Sequence, residues 1–354
     1  MNEASQPSAS LKIPPALSLP PALGEDLHEA NALPEIAVLC DPTPEVLEAY
    51  GYEEGLGVIA LVSTGPAARA LALELGALEV IDPLQAEVES RLRVKSAVAR
   101  FRSRLKLERT RDELHREIEA QERNLRLAAR LQHSLLPPTL PELEGVRFST
   151  AYLPQEFVSG DSYEVRQLGP HLVALYTLDS VGHGVRAALL TVLLRSLTEF
   201  ADSAGEPRDP HEVVDSLNRA LLDAKLEESP TAAFCYGLID TQRRTIRLAN
   251  AGHPLPIRLA PDGTWSRLGR SGLLLGVDPE CYQTVEEAFS PGDRVFFFTD
   301  GADPDYTDAF CDRLAEHVGL ELELQVGGAL GSVIVLDDEG RPEDDVTVVA
   351  VSFA

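Results

Sequence analysis

Acidic residues stand at the ends of several apolar runs in this chain. They are Asp161, Asp179, Asp300 and the neighbouring pair Asp344-Asp345. Carboxylates cannot share one site without a counter-charge, because desolvation and mutual repulsion are both costly. A pair of hard divalent cations removes both penalties and provides for water-based chemistry at phosphorus. The pattern therefore predicts a metal-dependent phosphatase.

Of these acidic segments, the one around Asp179 gives the most information about its local structure. Residues 172–178 form an apolar run that predicts a buried strand, and Asp179 follows it directly. Glycines on both sides of His183 permit positive φ and a close backbone approach before a predicted helix at Val185. A loop that ends in a helix N-terminus suits anions. We expect His183 itself to brace the loop through a backbone hydrogen bond and not to bind metal.

Asp300 and Asp344 occupy similar positions. The apolar run 295–299 predicts a central strand that ends at Asp300-Gly301, and Asp344 precedes a predicted strand at 346–351. Each motif alone is weak, because Asp-Gly is an ordinary turn and paired acids are common in loops. Their shared placement at strand edges makes the combination more specific.

The elements that must position these residues lie in 138–354, which we predict to be one α+β domain of two packed antiparallel sheets with helices outside. Predicted strands are 146–152, 163–167, 172–178, 232–240, 245–249, 256–259, 294–299 and 346–353, and predicted helices are 185–201, 210–226 and 305–318.

Residues from about 131 to 354 resemble the SpoIIE-type branch of the PP2C-like protein phosphatases. The matching motifs are, in order, Leu131-Gln132-His133-Ser134-Leu135-Leu136-Pro137, Ser159-Gly160-Asp161, Asp179-Ser180-Val181-Gly182-His183-Gly184-Val185-Arg186-Ala187-Ala188, Asn250-Ala251-Gly252-His253-Pro254, Leu275-Gly276-Val277, Thr299-Asp300-Gly301 and Asp344-Asp345-Val346-Thr347.

The resemblance implies a PP2C-like αββα sandwich that hydrolyses phosphoserine or phosphothreonine in proteins and uses two ions, Mn²⁺ or Mg²⁺. By motif, Asp161 and Asp179 are expected to ligate the metals, with Asp179 bridging and the Ser180 carbonyl completing one shell. Asp300 and Asp344 are expected to hold the second ion. A bridging water is then expected to attack phosphorus in line, with no covalent phosphoenzyme. The Asn250–Pro254 turn is expected to be a fold element beside the cleft.

The chain departs from the family pattern at several positions. Ser159 stands where glycine is usual, Glu164 replaces a common aspartate, and Asp303-Pro304 stands where a glutamate is typical. No arginine is obvious for gripping the substrate phosphate. None of the four metal carboxylates is missing, which argues for an active enzyme.

The N-terminal region has a different composition. Residues 1–34 are rich in Pro, Ala and Ser and are predicted to be disordered. Residues 35–90 predict a β-α-β-α-β order, including a helix at 43–50, and hence a small parallel sheet. The stretch 75–83 resembles the latter part of a response-regulator receiver domain, but Asp82 stands where that family has lysine. The usual phosphoacceptor strand has no counterpart, so we expect a degenerate receiver-like module that makes protein contacts.

One long helix is predicted over 84–136, with 91–137 as a linker and 138–354 as the phosphatase domain. Part of this helix has the spacing of a heptad repeat, at Leu114, Ile118, Gln121, Leu125, Ala128, Gln132 and Leu135. The repeat is imperfect because two of these positions are glutamine. A parallel homodimer would bury this stripe; a helix folded back onto its own domain would do so as well.

Composition limits the remaining classes. The chain has 354 residues, 44% of them apolar, and a formal charge of −26, which disfavours nucleic acid as a partner. No run of 18 apolar residues and no basic-then-apolar N-terminus occurs, so we expect a cytoplasmic protein without membrane insertion. The basic block within 91–136 could touch a membrane or nucleic acid, but a solvated helix is the simpler interpretation.

Two classes of function remain. The first is a phosphatase controlled by its N-terminal module; the family implies a phosphorylated STAS-type anti-anti-sigma protein as its substrate in a bacterial partner-switching pathway. The second is a non-catalytic, phosphatase-like adaptor that binds a regulator, which would be marked by lost ligands. A HAD-type phosphatase requires Asp-x-Asp after a strand, and Asp179-Ser180-Val181 lacks the second aspartate.

Overall fold

A computed structural model describes residues 36–40, 57–61, 66–82, 87–225, 229–279, 281–303, 307–338 and 340–354. The predicted disordered segment 1–34 and the predicted helix at 43–50 lie outside the described residues. The chain divides into two compact units, 1–120 and 121–354, so the division falls inside the long helix. The domain limits predicted from the sequence stay predictions.

The first unit contains a small parallel sheet, as predicted. Its strands pair in the order β1-β2-β3. Buried Val58, Ala60 and Val80 pack with Ala72 of the intervening helix, which supplies the apolar face that a small sheet needs. The likeness to a receiver domain stays a prediction. The elements are β1 (Ile36–Cys40), β2 (Gly57–Leu61), α1 (Pro66–Glu74) and β3 (Glu79–Ile81).

The long predicted helix is present as α2 (Glu87–Leu135). Its surface is polar and includes i,i+4 ion pairs such as Arg104 with Glu108 at 2.9 Å, each worth about 0.3–0.5 kcal/mol. Leu114 and Ile118 of the heptad stripe are exposed, whereas Gln132 is buried. No helix in the described part of the chain combines the length and apolar character that crossing a membrane requires. The predicted cytoplasmic location and dimer stay predictions.

The second unit consists of two sheets with helices on their outer faces. One sheet has the strand order β10-β9-β13-β14-β4; the other has β11-β8-β7-β6-β5, with β12 also pairing with β8. The strands are β4 (Val146–Leu153), β5 (Asp161–Gly169), β6 (Leu172–Ser180), β7 (Ala232–Asp240), β8 (Thr245–Ala251), β9 (Ile257–Leu259), β10 (Trp265–Arg267), β11 (Ser271–Gly272), β12 (Val285–Ala288), β13 (Arg294–Phe298) and β14 (Val346–Phe353). The helices are α3 (Val185–Leu197), α4 (Pro210–Ala224), α5 (Ala309–Glu316) and α6 (Leu322–Val333).

Alternation along the strands produces the layers. In β6, Val173 and Leu175 pack between the sheets, while Tyr176 packs with the helix residues Leu194 and Leu217. The other sheet behaves in the same way and covers its outer face with α5 and α6. Because both faces of each central strand are apolar, both are buried. The predicted αββα sandwich is confirmed.

Some sequence predictions need correction. Asp161 and Asp179 lie within strands β5 and β6 and not just beyond them, and α3 ends at Leu197 and not at 201. Helix α6 was not predicted, because Gly327 and Gly328 lower helix propensity; packing of its apolar face on the sheet stabilises it. The short strands β10, β11 and β12 were not predicted either.

Candidate metal centre

Asp161 and Asp179 face each other across the pairing of β5 with β6. They are direct register partners in this antiparallel ladder. Tyr163, two residues after Asp161, and Leu175, four before Asp179, lie in the layer between the sheets. Because side chains alternate along a strand, both carboxylates are on the inner face. They therefore lie at one end of the sandwich, where the inner layer reaches the surface.

Asp161 is buried and only partly satisfied. Its Oδ2 accepts a hydrogen bond from the Thr299 hydroxyl at 2.7 Å. Its Oδ1 is buried and has no hydrogen-bond partner among the described residues. Burial, together with the charges of Asp179 and Asp345, raises the pKa of Asp161 well above its usual range. A buried carboxylate oxygen without a donor is costly, and a cation would satisfy it.

Asp179 is close enough to the carboxylates of the other acidic segments for their charges to affect its pKa. Burial, together with the carboxylates of Asp300, Asp344 and Asp345, raises the pKa of Asp179 to about 7. Asp344 is exposed at the surface, and its pKa is raised by partial burial and by Asp300 and Asp345. The four carboxylates predicted from the sequence therefore do come together at one end of the sandwich.

Asp345 has a role that the sequence did not indicate. Its two oxygens accept hydrogen bonds from the backbone of Gly160, at 2.6 Å, and of Gln155, at 2.8 Å. Next to it, Gly301 approaches the Asp345 carbonyl so closely that a Cβ on Gly301 would collide with it. Asp345 thus fixes the loop before Asp161 against the start of β14. The paired acids were noted in the sequence, but nothing there showed that the second one is buried.

Ser180 joins the same loop to helix α3. Its hydroxyl lies within hydrogen-bonding distance of two carbonyls, Gly160 at 3.0 Å and Ala187 at 3.1 Å, and its backbone N–H donates to Gly160 at 3.0 Å. A Cβ on Gly160 would lie 3.1 Å from the Ser180 hydroxyl, so a larger residue there would require its neighbours to shift by a few tenths of an ångström. The predicted use of the Ser180 carbonyl as a metal ligand stays a prediction.

His183 is exposed, and its Nδ1 lies 3.4 Å from a carboxylate oxygen of Glu156. The backbone hydrogen bond predicted for the His183 side chain is not among the hydrogen bonds of the described residues. Gly182 and Gly184 on either side have φ of 101° and 77°, as the sequence predicted.

The end of α2 also contacts this region, through Gln132. Its Nε2 donates to the Ser159 carbonyl at 2.7 Å and to the Thr191 hydroxyl at 3.1 Å, while its Oε1 accepts from the Ser159 N–H at 3.0 Å. The sequence assigned Gln132 to the heptad stripe. The structure buries it in its own domain instead, so the fold-back alternative holds at this position.

A cavity of about 400 Å³ lies beside the carboxylates and is lined by Asp179, Asp300 and His253, among others. His253 is buried, its Nδ1 donates to the Pro254 carbonyl at 3.0 Å, and burial lowers its pKa to about 4. Asn250 accepts from the His253 N–H and donates to its carbonyl. The Asn250–Pro254 turn is thus stabilised by hydrogen bonds between its own residues, and it lies beside the cleft as expected.

The donor types fit hard divalent cations, which prefer carboxylate and carbonyl oxygens. The unpartnered Oδ1 of Asp161 fits them as well. Across the described residues, however, no group of three or more His, Cys, Asp or Glu side chains is arranged to hold a metal ion. The cluster supplies ligands without forming a closed cage, and a two-ion centre stays a prediction.

Known proteins share this domain. The SiaA-PP2C domain of Pseudomonas aeruginosa superposes with a TM-score of 0.57 and 22% identity, over 67% of this chain and 99% of that one. The RsbU and RsbW domains of Rv1364c from Mycobacterium tuberculosis give a TM-score of 0.53 and 24% identity, over 60% of this chain and 61% of that one. These likenesses establish the PP2C-like fold.

Two relatives identified by sequence similarity are named phosphoserine phosphatases. Phosphoserine phosphatase RsbP of Bacillus subtilis is 28% identical over 201 residues, or 55% of this chain and 49% of RsbP. Phosphoserine phosphatase RsbU of the same organism is 24% identical over 236 residues, or 64% of this chain and 69% of RsbU. The chain thus spans about half the length of RsbP. The model of the family "Stage II sporulation protein E (SpoIIE)" matches residues 169–354, slightly more than half of the chain. The chain belongs to the SpoIIE family of PP2C-like phosphatase domains.

Proposed function

We propose that this protein is a metal-dependent phosphatase of phosphoserine or phosphothreonine in proteins. The observation that carries the proposal is the register pair Asp161–Asp179, which places a buried carboxylate with an unpartnered oxygen opposite one with a raised pKa. In this proposal Asp161, Asp179, Asp300, Asp344 and the Ser180 carbonyl hold two ions, Mn²⁺ or Mg²⁺. The names of the relatives RsbP and RsbU support the reaction type.

The protein's own residues would prepare the site in three ways. Divalent cations, when bound, acidify water and neutralise phosphoryl charge. Thr299 orients Asp161 by its hydrogen bond, and the partly buried surroundings strengthen every charge interaction there. Asp345 and Ser180 fix the loop before Asp161 from two sides, so that Asp161 is preorganised.

The identity of the substrate and the control of the phosphatase by its N-terminal module are further parts of the proposal. We take the substrate to be a phosphorylated STAS-type anti-anti-sigma protein in a partner-switching pathway, on the ground of the family resemblance. Control would pass from the module at 35–90 through the linker at 91–137, with Gln132 as the last contact before the loop that precedes Asp161. A parallel dimer of α2 would bury the exposed Leu114 and Ile118.

Manganese-dependent turnover of para-nitrophenyl phosphate by the full chain tests the proposal. We expect activity that requires Mn²⁺ or Mg²⁺ and falls by at least about a hundredfold in Asp179→Asn, since the acidified nucleophile is lost. Equal inactivity of the wild type and Asp179→Asn with every metal would overturn the enzyme proposal and favour the adaptor. The substrate is tested separately, by capture of a phosphorylated STAS protein on Asp300→Asn.

A further inference from the structure

The cavity beside the carboxylates also has a basic side chain in its wall. Arg267, the last residue of β10, lines it together with Asp179 and Asp300. Of the residues that line this cavity, His253 is the other one that could be cationic, and its lowered pKa of about 4 keeps it neutral at pH 7. Arg267 is therefore the one fixed positive charge among these lining residues.

Arg267 is held in place by two neighbours. It forms an ion pair with Asp308, and its guanidinium carbon lies 5.8 Å from the centre of the Trp265 ring. Asp308 is fixed in turn, because its N–H donates to the buried Asp303 carboxylate at 2.9 Å. Trp265 is anchored by Asp312 at 3.1 Å. These contacts place the guanidinium beside Asp308 and Trp265, while Arg267 itself lines the cavity.

The ion pair with Asp308 is weak enough to exchange. The side chains of Arg267 and Asp308 are 42% and 36% exposed, and pairs of that exposure contribute about 0–1 kcal/mol. A phosphoryl group offers about two charges and three acceptor oxygens, which suit the planar guanidinium better than one carboxylate does. Since the remaining charged groups of the cavity wall are acidic, Arg267 would offset part of the repulsion that a dianion meets there.

We propose that Arg267 is a substrate-binding residue that releases Asp308 and binds the phosphoryl oxygens of the phosphoserine or phosphothreonine side chain. The inference rests on the proposed function and supplies the phosphate-binding arginine that the family motifs do not place. Arg267 lies outside those motifs, about 30 residues before Asp300 in the sequence, and reaches the site through the β9–β10 hairpin.

The test uses the full chain with Mn²⁺ and two readouts, the KM and kcat for para-nitrophenyl phosphate and calorimetric binding of inorganic phosphate. Arg267→Ala is expected to raise both the KM and the phosphate Kd by about tenfold, which is about 1.4 kcal/mol. Arg267→Lys should retain part of the affinity. Asp308→Asn should bind phosphate at least as tightly as the wild type, because it frees the guanidinium. Arg258→Ala, on the neighbouring strand β9, is the matched control.

The outcomes separate the two proposals. If Arg267→Ala keeps its KM and phosphate Kd within twofold of the wild type, the assignment of Arg267 is overturned and the phosphatase stands. If Asp308→Asn weakens phosphate binding as much as Arg267→Ala does, the ion pair is structural and the assignment is again overturned. If the wild type binds phosphate through Arg267 without turnover, only the proposed reaction fails. If it neither binds nor hydrolyses, both are overturned.

Discussion

The hydroxyl of Thr299 donates a hydrogen bond to Oδ2 of Asp161 at 2.7 Å, and this bond joins the two sheets at the proposed metal centre. The same hydroxyl accepts from the Thr347 N–H at 2.9 Å, so one buried side chain links β5, β13 and β14. Thr299 directly precedes Asp300, so this link helps to hold Asp161, on β5 of one sheet, near Asp300, which follows β13 of the other sheet.

Thr299→Val keeps the shape of the side chain and removes both hydrogen bonds. It leaves the Asp161 oxygen and the Thr347 N–H buried without a partner, which we expect to lower the free energy of unfolding by about 1–3 kcal/mol. Urea unfolding measures this. Thr299→Ser retains the hydroxyl and should lose much less. A valine variant within about 0.5 kcal/mol of the wild type would show that the link is unimportant for stability.

Asp344 and Asp345 are expected to separate metal binding from loop support. Asp345→Ala removes the acceptor for two backbone N–H groups and should cost about 1–3 kcal/mol of folding free energy. Asp344→Ala removes an exposed side chain and should weaken Mn²⁺ binding with little loss of stability. Thermal melts and manganese titrations of both variants measure the contrast. If the two effects were exchanged between the variants, these roles of Asp344 and Asp345 would be wrong.

Gln132→Ala should destabilise the C-terminal unit. It leaves the buried N–H and carbonyl of Ser159 without their partner, at a cost of about 1–3 kcal/mol. Gln121→Ala, at an exposed position of the same helix, is the control and should change stability by less than about 0.5 kcal/mol. Equal effects of the two substitutions on the free energy of unfolding in urea would mean that Gln132 is an exposed residue of the helix and not a buried one.

The raised pKa of Asp179 has a defined consequence for pH. Its pKa is about 7 in the folded, metal-free protein and 3.8 ordinarily, so the folded state holds the proton more tightly. Stability from this group is therefore greatest at low pH and falls as pH rises from about 4 to about 7. The difference in melting temperature between the wild type and Asp179→Asn, followed from pH 4 to pH 7, measures this slope together with the change at Asp161, whose pKa the Asp179 charge also raises.

Metal binding should show the reverse dependence. Because a carboxylate must lose its proton to bind metal, Mn²⁺ affinity should increase by about tenfold between pH 6 and pH 8. A manganese titration at each pH measures it. Affinity that is independent of pH across this window would mean that Asp179 is already ionised in the metal-free protein.

The placement of acidic residues at the ends of apolar runs was sufficient to predict that carboxylates meet at strand edges of a sandwich. The helix α2 was equally clear, because no glycine or proline interrupts it. Such features depend on local sequence, which fixes the period of the pattern and its ends.

Features that depend on tertiary contacts were not predictable in this way. Asp344 and Asp345 are chemically identical, and only the packing against Gly160 and Gly301 makes the second one buried. The spacing of Gln132 matched a heptad position, and its buried contacts with Ser159 and Thr191 had no signal in the local sequence. The sequence around Arg267 contains no motif that indicates a place at the cavity, because that place is set by how β9 and β10 pair.

Calorimetric titration of the full chain with Mn²⁺ at pH 8 tests the proposed metal centre most directly. We expect uptake of two ions by the wild type and loss of that uptake in Asp179→Asn, with both proteins folded by circular dichroism. A folded wild-type protein that takes up no manganese would contradict the existence of this centre.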